Sequence, residues 1–168
     1  GAQLSSFFNQ NDGDLRYLQA SSFANVNGGD LTGAQLAVGF NFNGGKVRGV
    51  QIGLANAAIA VSGFQAGVLN MVRNSSGVQL GVVNWSREMR GVPIGPLNFA
   101  SNGNADWITF ASNLSAVNTG IRTTVNNFYS MLTLGYGDLQ GDVEKSIFIT
   151  WNYGYQIRVT GPWNMGVD

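Results

Sequence analysis

Neither cysteine nor histidine occurs among the 168 residues. The first absence excludes disulfides and thiolate metal sites, and the second removes the commonest general base and metal ligand. Charge is scarce as well: 11% of residues, nine basic against nine acidic, with a formal net charge of zero. A chain so balanced is neither an electrostatic binder of nucleic acid nor a charge-driven disordered tail. The serines have no histidine to activate them, so no catalytic constellation is in sight and no cofactor is implied. Acidic pairs at Asp12/Asp14 and Asp138/Asp142 have the oxygen chemistry of Ca²⁺ ligands but match no full calcium loop, and turn-forming aspartate accounts for both without metal. The opening GAQLSS lacks the basic, apolar and small-residue plan of a secretory leader. Triplets such as Asn84-Trp85-Ser86 fit a glycosylation acceptor, which chance supplies in any chain rich in Asn and Ser.

What the chain has is glycine, 24 of it, and a phrase said four times: GVQIGLAN, GFQAGVLN, GVQLGVVN, GVPIGPLN. Gly49, Gly63, Gly77 and Gly91 open the units and Asn56, Asn70, Asn84 and Asn98 close the phrases, at a period of 14. Gln51, Gln65 and Gln79 hold the third place, which Pro93 takes in the last unit. Apolar residues alternate between these, which is the period of a strand. A fixed self-similar period is the signature of a solenoid. Stacked coils put equivalent residues about 4.8 Å apart, so the four asparagines form an amide ladder at a corner, where Asn also tolerates left-handed backbone angles. Ile52, Leu80 and Ile94 are then expected inside, and the glutamine face outside.

The same grammar runs through the first third with a period of 16. Gly1, Tyr17, Gly33 and Gly49 are spaced so, as are Gln3, Gln19, Gln35 and Gln51, while Asn9, Asn25 and Asn41 close the phrases. The extra residues fall partly inside the phrase and partly in the tetrads NDGD, NGGD and NGGK, which read as tight turns with positive φ. The same tetrads are hairpin signals, so an antiparallel meander, or an outer-membrane type of barrel throughout, stands as the alternative. A meander would put each Asn at the opposite end of the neighbouring strand and lose the ladder. The uncharged run between Arg48 and Arg73 is long enough for a membrane helix and contains GxxxG spacings. Period-2 alternation and the buried amides it would require argue against one.

Pro93 and Pro96 mark the last coil, since neither can donate to a ladder. The sequence therefore divides into a repeat region, 1–104, and a region of antiparallel aromatic strands, 105–168. There FYSMLTLGYG and KSIFITWNYGYQIRV alternate over long stretches, with Asn126-Asn127 and the Asp138 to Glu144 link as turns. Trp151, Tyr153 and Tyr155 share one face of the second strand. So large an apolar patch is rare on a soluble monomer, and these three are the interface candidates, to be covered by lipid, another chain or a continuation of the sheet.

The GxQxGxxN units, closed by GVPIGPLNF and followed by GIR, FYSMLTLGYG and an aromatic strand, resemble bacterial surface-repeat proteins of the outer membrane. The resemblance implies export to the outer membrane or cell surface, a repeat section joined to barrel-like strands, and no known reaction. Two classes of function follow. One is a non-enzymatic structural or interaction protein whose glutamine face and glycine tracks pack against a sheet, a protein partner or a polysaccharide, with self-association possible through an uncapped end. The other is a membrane barrel serving as small pore or anchor in lipid. The repeat phrase spans only about 17 Å, short of the roughly 25 Å apolar band a barrel strand presents.

Overall fold

A computed structural model describes residues 1–112, 115–137, 146–158 and 164–167. The repeats wind into a β-solenoid of about seven coils, and every strand pair within it is parallel. Register follows the repeat. Gln3 pairs with Gln19, Gln19 with Gln35, Gln35 with Gln51, Gln51 with Gln65 and Gln65 with Gln79. The asparagines line up likewise from Asn9 to Asn98. Parallel pairing sets the meander and the barrel aside for this region, since either would need antiparallel neighbours.

The change of period is divided between two corners. Leu36 sits on Ile52, 16 residues apart; Phe40 sits on Ala55, 15 apart; Val47 sits on Val61, 14 apart. One residue is lost where Ala37-Val38-Gly39 becomes Gly53-Leu54, and one where Gly44-Gly45 faces Ile59. The ladders on either side stay in register because one deletion falls at a bend and the other at a bulge in the pairing between Asn43 and Lys46. The tetrads do not turn through left-handed backbone. Among the described residues only Tyr17, Asn126 and Gly33 have φ in that region, and NGGK lies within the continuous strand Phe40–Ile52. At these corners a carboxylate replaces the missing turn geometry: Asp14 Oδ1 accepts the backbone N–H of Asp30, and Asp30 Oδ1 accepts that of Lys46.

The interior reverses the expected faces. Gln19, Gln35, Gln51, Gln65 and Gln79 are fully buried, as are Asn25 and Asn70. Ile52 and Leu80, expected inside, are 45% and 44% exposed, and Ile94 is half-buried. Alternation permits either face to turn inward; the thin coil has room for amides that bond to their own kind, and the aliphatic core is confined to the other end of the cross-section. There Leu15, Leu31, Val47, Val61 and Val72 stack in a cluster. The opening glycines lie where coils approach most closely, and a Cβ on Gly49 would strike the carbonyl oxygen of Gly33. Tyr17 occupies this column with φ 91° and its side chain exposed, a backbone strain that glycine would not feel.

The parallel sheet ends at Ala100, and a second, antiparallel sheet starts at Gly103. Its strands, Gly103–Phe110, Val117–Val125, Phe128–Gly137, Ser146–Arg158 and Asn164–Val167, pair in chain order. Asn126 and Asn127 make the tight turn between the second and third, Asn126 with φ 54°. The link expected from Asp138 to Glu144, and with it the Asp138/Asp142 pair, lies outside the described residues.

This sheet lies across the end of coil seven. Thr123 Oγ1 accepts the backbone N–H of Asn98 at 3.2 Å, Ser130 Oγ donates to the Pro96 carbonyl at 3.0 Å, and the Asn126 amide donates to Gly91 O at 3.3 Å. Val92 N–H and the Ile94 carbonyl turn back to coil six. Pro93 between them therefore faces the free end, where it has no N–H to leave unpaired.

Candidate functional site: an amide core and an uncharged outer face

Two columns of primary amides run through the solenoid, and each side chain is held by the same residue one coil away. Asn56 Nδ2 donates to Asn70 Oδ1 at 3.0 Å, Asn70 to Asn84 at 2.8 Å and Asn84 to Asn98 at 2.8 Å. The second N–H of each crosses to the glutamine side of the coil, from Asn56 to Ala66 O, from Asn70 to Leu80 O and from Asn84 to Ile94 O. A carbonyl only accepts, so these bonds fix which amide atom is nitrogen. The asparagines sit inside strands with ordinary backbone, not in left-handed corners. The glutamines run the other way. Gln65 Nε2 donates back to Gln51 Oε1 and Gln79 Nε2 back to Gln65 Oε1, at 2.8 and 2.9 Å.

Such columns fail only where the repeat does. Gln79 Oε1 is buried without a partner because Pro93 stands where the next glutamine would be. A third column, Asn11, Asn27 and Asn43, donates forward and stops at Ala58, which leaves Asn43 Nδ2 orphaned. Buried amides with no hydrogen-bond partner cost about 1–3 kcal/mol each, and here the cost is confined to two positions. Amides of this kind neither titrate in water nor act as nucleophiles. The columns are a structural interior, and the glutamine row offers no surface to a partner or polysaccharide.

What the solenoid does offer is its outside. In each unit, counted from Gly1, Tyr17, Gly33, Gly49, Gly63, Gly77 and Gly91, the first ten residues carry no charge. Asp12, Asp14, Arg16, Asp30, Lys46, Arg48, Arg73, Arg87, Glu88 and Arg90 all fall in the remainder. Charge is therefore drawn to one side of the solenoid, and on the other sides Leu36, Ile52, Leu54, Val68, Leu80 and Val82 stand exposed in rows. On the charged side, Asp30 receives both the Lys46 N–H and the Arg48 guanidinium, which hold its carboxyl below the usual carboxylate range.

The apolar rows run up to the antiparallel sheet. Ala66, Leu80, Val82, Ile94, Pro96 and Trp151 line a groove of about 410 Å³ at the junction. Beyond it one face of the sheet projects past the solenoid with Trp107, Leu134, Ile147 and Ile149 at least half exposed. The opposite face carries Thr133, Gly135 and Asn118, all buried, with Thr133 and Thr150 hydroxyls 2.6 Å apart. Asp106 and Arg122 form a 3.4 Å ion pair on adjacent strands.

The three interface candidates are not equivalent. Trp151 is 48% exposed, and its Nε1–H donates to Ser130 Oγ at 2.8 Å, so one end of the indole is fixed to the cap and the rest faces out. Tyr155 packs edge-on against Phe128, its hydroxyl accepting from the Asn127 amide. Tyr153 stacks on Phe128 at 6.0 Å with its hydroxyl buried and unpartnered, and burial pushes that phenol up. Sequence reading missed the charge-free sides of the coils. Counting charge by place within the unit, rather than along the chain, would have found them.

These features define a class: a β-solenoid with an amide-bonded interior, an exterior that is charged on one side and apolar on the others, and an antiparallel cap. Comparison of the chain with models of protein families, with curated proteins and with solved structures finds no match.

Proposed function

We propose that the chain is a non-enzymatic structural or interaction protein of the bacterial cell envelope, at the outer membrane or cell surface. Its uncharged outer faces are the packing surface, and membrane lipid or an apolar protein face is what they meet. The observation that carries this reading is the absence of charge from the first ten places of all seven units, joined to exposed aliphatic rows on those places. A soluble monomer rarely presents so large a contiguous apolar surface. The resemblance of the GxQxGxxN units to bacterial surface-repeat proteins supports the compartment.

A second reading, an anchor in the outer membrane, is favoured by the projecting part of the antiparallel sheet, apolar on one side and, apart from Ile108, Phe110 and Phe148, small or polar on the other in the manner of barrel strands. It concerns that sheet alone, because the coils are parallel. Flotation with vesicles of phosphatidylethanolamine and phosphatidylglycerol tests both. Wild type should float, and Leu54→Lys/Val68→Lys/Val82→Lys should abolish flotation under the packing reading. Under the anchor reading those changes leave flotation intact and Ile147→Lys/Ile149→Lys removes it. If wild type stays at the bottom of the gradient and remains monodisperse without detergent, the lipid reading fails.

A further inference from the structure

The fourth, fifth and sixth places of each unit make one bend of the coil, and stacked in register they form a groove along the solenoid axis. One wall is the fourth place, from Leu36 through Ile52 and Leu80 to Ile94; the other is the sixth, from Val38 through Leu54 and Val82 to Pro96. The floor between them is bare backbone, because a Cβ on Gly67 or Gly95 would strike the carbonyl oxygen of the glycine one coil before. Two cavities lie on this line. One, of about 760 Å³, reaches from Leu4 and Ala20 to Ile52; the other starts at Ala66 and is the 410 Å³ groove at the junction. Ile52 and Ala66 are neighbours in register, so the two share one continuous line. At coil seven Trp151 completes the lining, its indole fixed by the bond to Ser130 Oγ. Among the described residues no charged side chain lines either cavity.

Polarity is graded along the line. On coils one and two the fifth and sixth places hold Ser5, Ser6, Ser21 and Ser22, with Ser6 and Ser22 exposed, whereas from coil three onward both places are apolar or glycine. The backbone of the apolar stretch is already engaged. Gly53, Gly67 and Gly81 donate their N–H to the carbonyls of Ala66, Leu80 and Ile94, and each of those carbonyls also takes an asparagine amide. A peptide lying in the groove would cross the coil strands at a right angle and leave its own N–H and C=O groups without partners, which is costly away from water. A hydrocarbon chain has no such groups. Four strand spacings make the stretch from coil three to coil seven roughly 19 Å long, against roughly 15 Å for the half of a bilayer core that one acyl chain fills.

We propose that this groove binds the single acyl chain of an uncharged lipid, laid along the solenoid axis with its hydroxyl-bearing head at the serines of coils one and two and its methyl end on Trp151. Polarity selects this occupant: a groove without cations has nothing to hold a phosphate or carboxylate head, and serine hydroxyls hydrogen-bond a glycerol. The proposal takes lipid as the partner from the envelope reading and deepens it, since one lipid molecule is taken up whole rather than met as a surface.

The probe is 1-stearoylglycerol carrying bromine near its methyl end, supplied below its aggregation concentration, because bromine quenches tryptophan at contact. Wild type should bind one molecule per chain and lose the part of its emission that Trp151→Phe also removes. The same lipid brominated beside the ester should bind and leave that part intact. Ala66→Phe, which fills the gap between Ile52 and Leu80 and keeps the outer face apolar, should lose uptake with an unchanged circular dichroism spectrum and still float with vesicles. Equal quenching from both bromine positions, no uptake by wild type, undiminished uptake by Ala66→Phe, or a dimer that takes up no lipid because a second copy fills the groove would each overturn the proposal. Flotation of wild type without uptake removes the groove and leaves the envelope reading; uptake without flotation keeps the groove and removes that reading.

Discussion

The solenoid and its cap are built from the same kinds of residue, yet they bury polar groups by opposite means. In the coils parallel register puts like on like, so one amide type supplies both donor and acceptor along a whole column. In the cap, antiparallel pairing mostly sets unlike residues opposite one another, such as Ser130 against Tyr153 and Leu132 against Trp151, and only isolated pairs such as Thr133 with Thr150 and Thr109 with Thr119 match. Its polar groups are satisfied singly, by a hydroxyl or an indole that happens to be near. A column tolerates deep burial and concentrates its defects at its ends. Polar groups outside the columns have no such economy: Tyr153 Oη is left unpartnered in the cap, and Ser21, Ser75 and Ser86 Oγ in the coils.

The sharpest test compares two asparagines of similar burial, Asn70 in a column and Asn118 in the cap, at 0% and 3% exposure. Asn70→Asp replaces two donated bonds by repulsion between the carboxylate and two acceptors, and should cost about 3–5 kcal/mol at neutral pH. The new carboxyl has its folded pKa raised, so the native state holds the proton longer and stability falls as pH rises. Urea unfolding at about pH 4 should show a smaller loss than at about pH 7. Asn118 makes only long bonds, 3.4 Å to Phe110 O and 3.3 Å to Ser112 Oγ. Asn118→Asp should cost roughly 1–2 kcal/mol. Equal costs would mean that stacking adds nothing.

Next in size is Ser130→Ala, which strands the Pro96 carbonyl and Trp151 Nε1–H and should cost about 2 kcal/mol. A red shift of tryptophan emission before the coils melt would show the cap loosening as a unit of its own. Tyr17→Gly acts in the opposite direction. Relief of φ 91° at an exposed side chain should stabilise by about 1 kcal/mol, read as a rise in the denaturation midpoint. The smallest effect is at Asp30, whose lowered pKa means its contribution is present above the ordinary carboxylate range and lost as pH falls through it. Asp30→Asn should flatten that acid limb slightly and leave the neutral midpoint within error, because the pair with Arg48 is open to solvent.

Much of the fold was legible. Repeats of 14 and 16, the fixed places of Gln and Asn, and the two prolines carry the coils, their register and their last turn. The orientation of the coil was not legible from hydropathy, because alternation is symmetric between faces and an amide pays the cost of burial only if it lacks a partner. A different signal was available. In the 14-residue units the third and eighth places hold almost nothing but Gln and Asn, whereas the fourth runs Ile52, Ala66, Leu80, Ile94. Invariance within the repeat marks the side that must match its neighbour, and variety marks the side that need not. The tetrads misled for a related reason: Asn-Gly chemistry suits a hairpin, but in a coil the Asp carboxylate of one corner takes the N–H of the next and no positive φ is required.

The opposed directions of the amide columns bear on electrostatics. A column of aligned amides adds its dipoles end to end, as a helix does, and leaves partial charge at both ends. The asparagine column points its positive end toward coil seven and the glutamine column toward coil one, side by side within one thin coil. Their fields oppose each other along the axis, so beyond coil three, where the forward-pointing Asn11 column stops, the ladders add little net polarisation as coils accumulate, and the charge-free sides are not undermined by a polarised core.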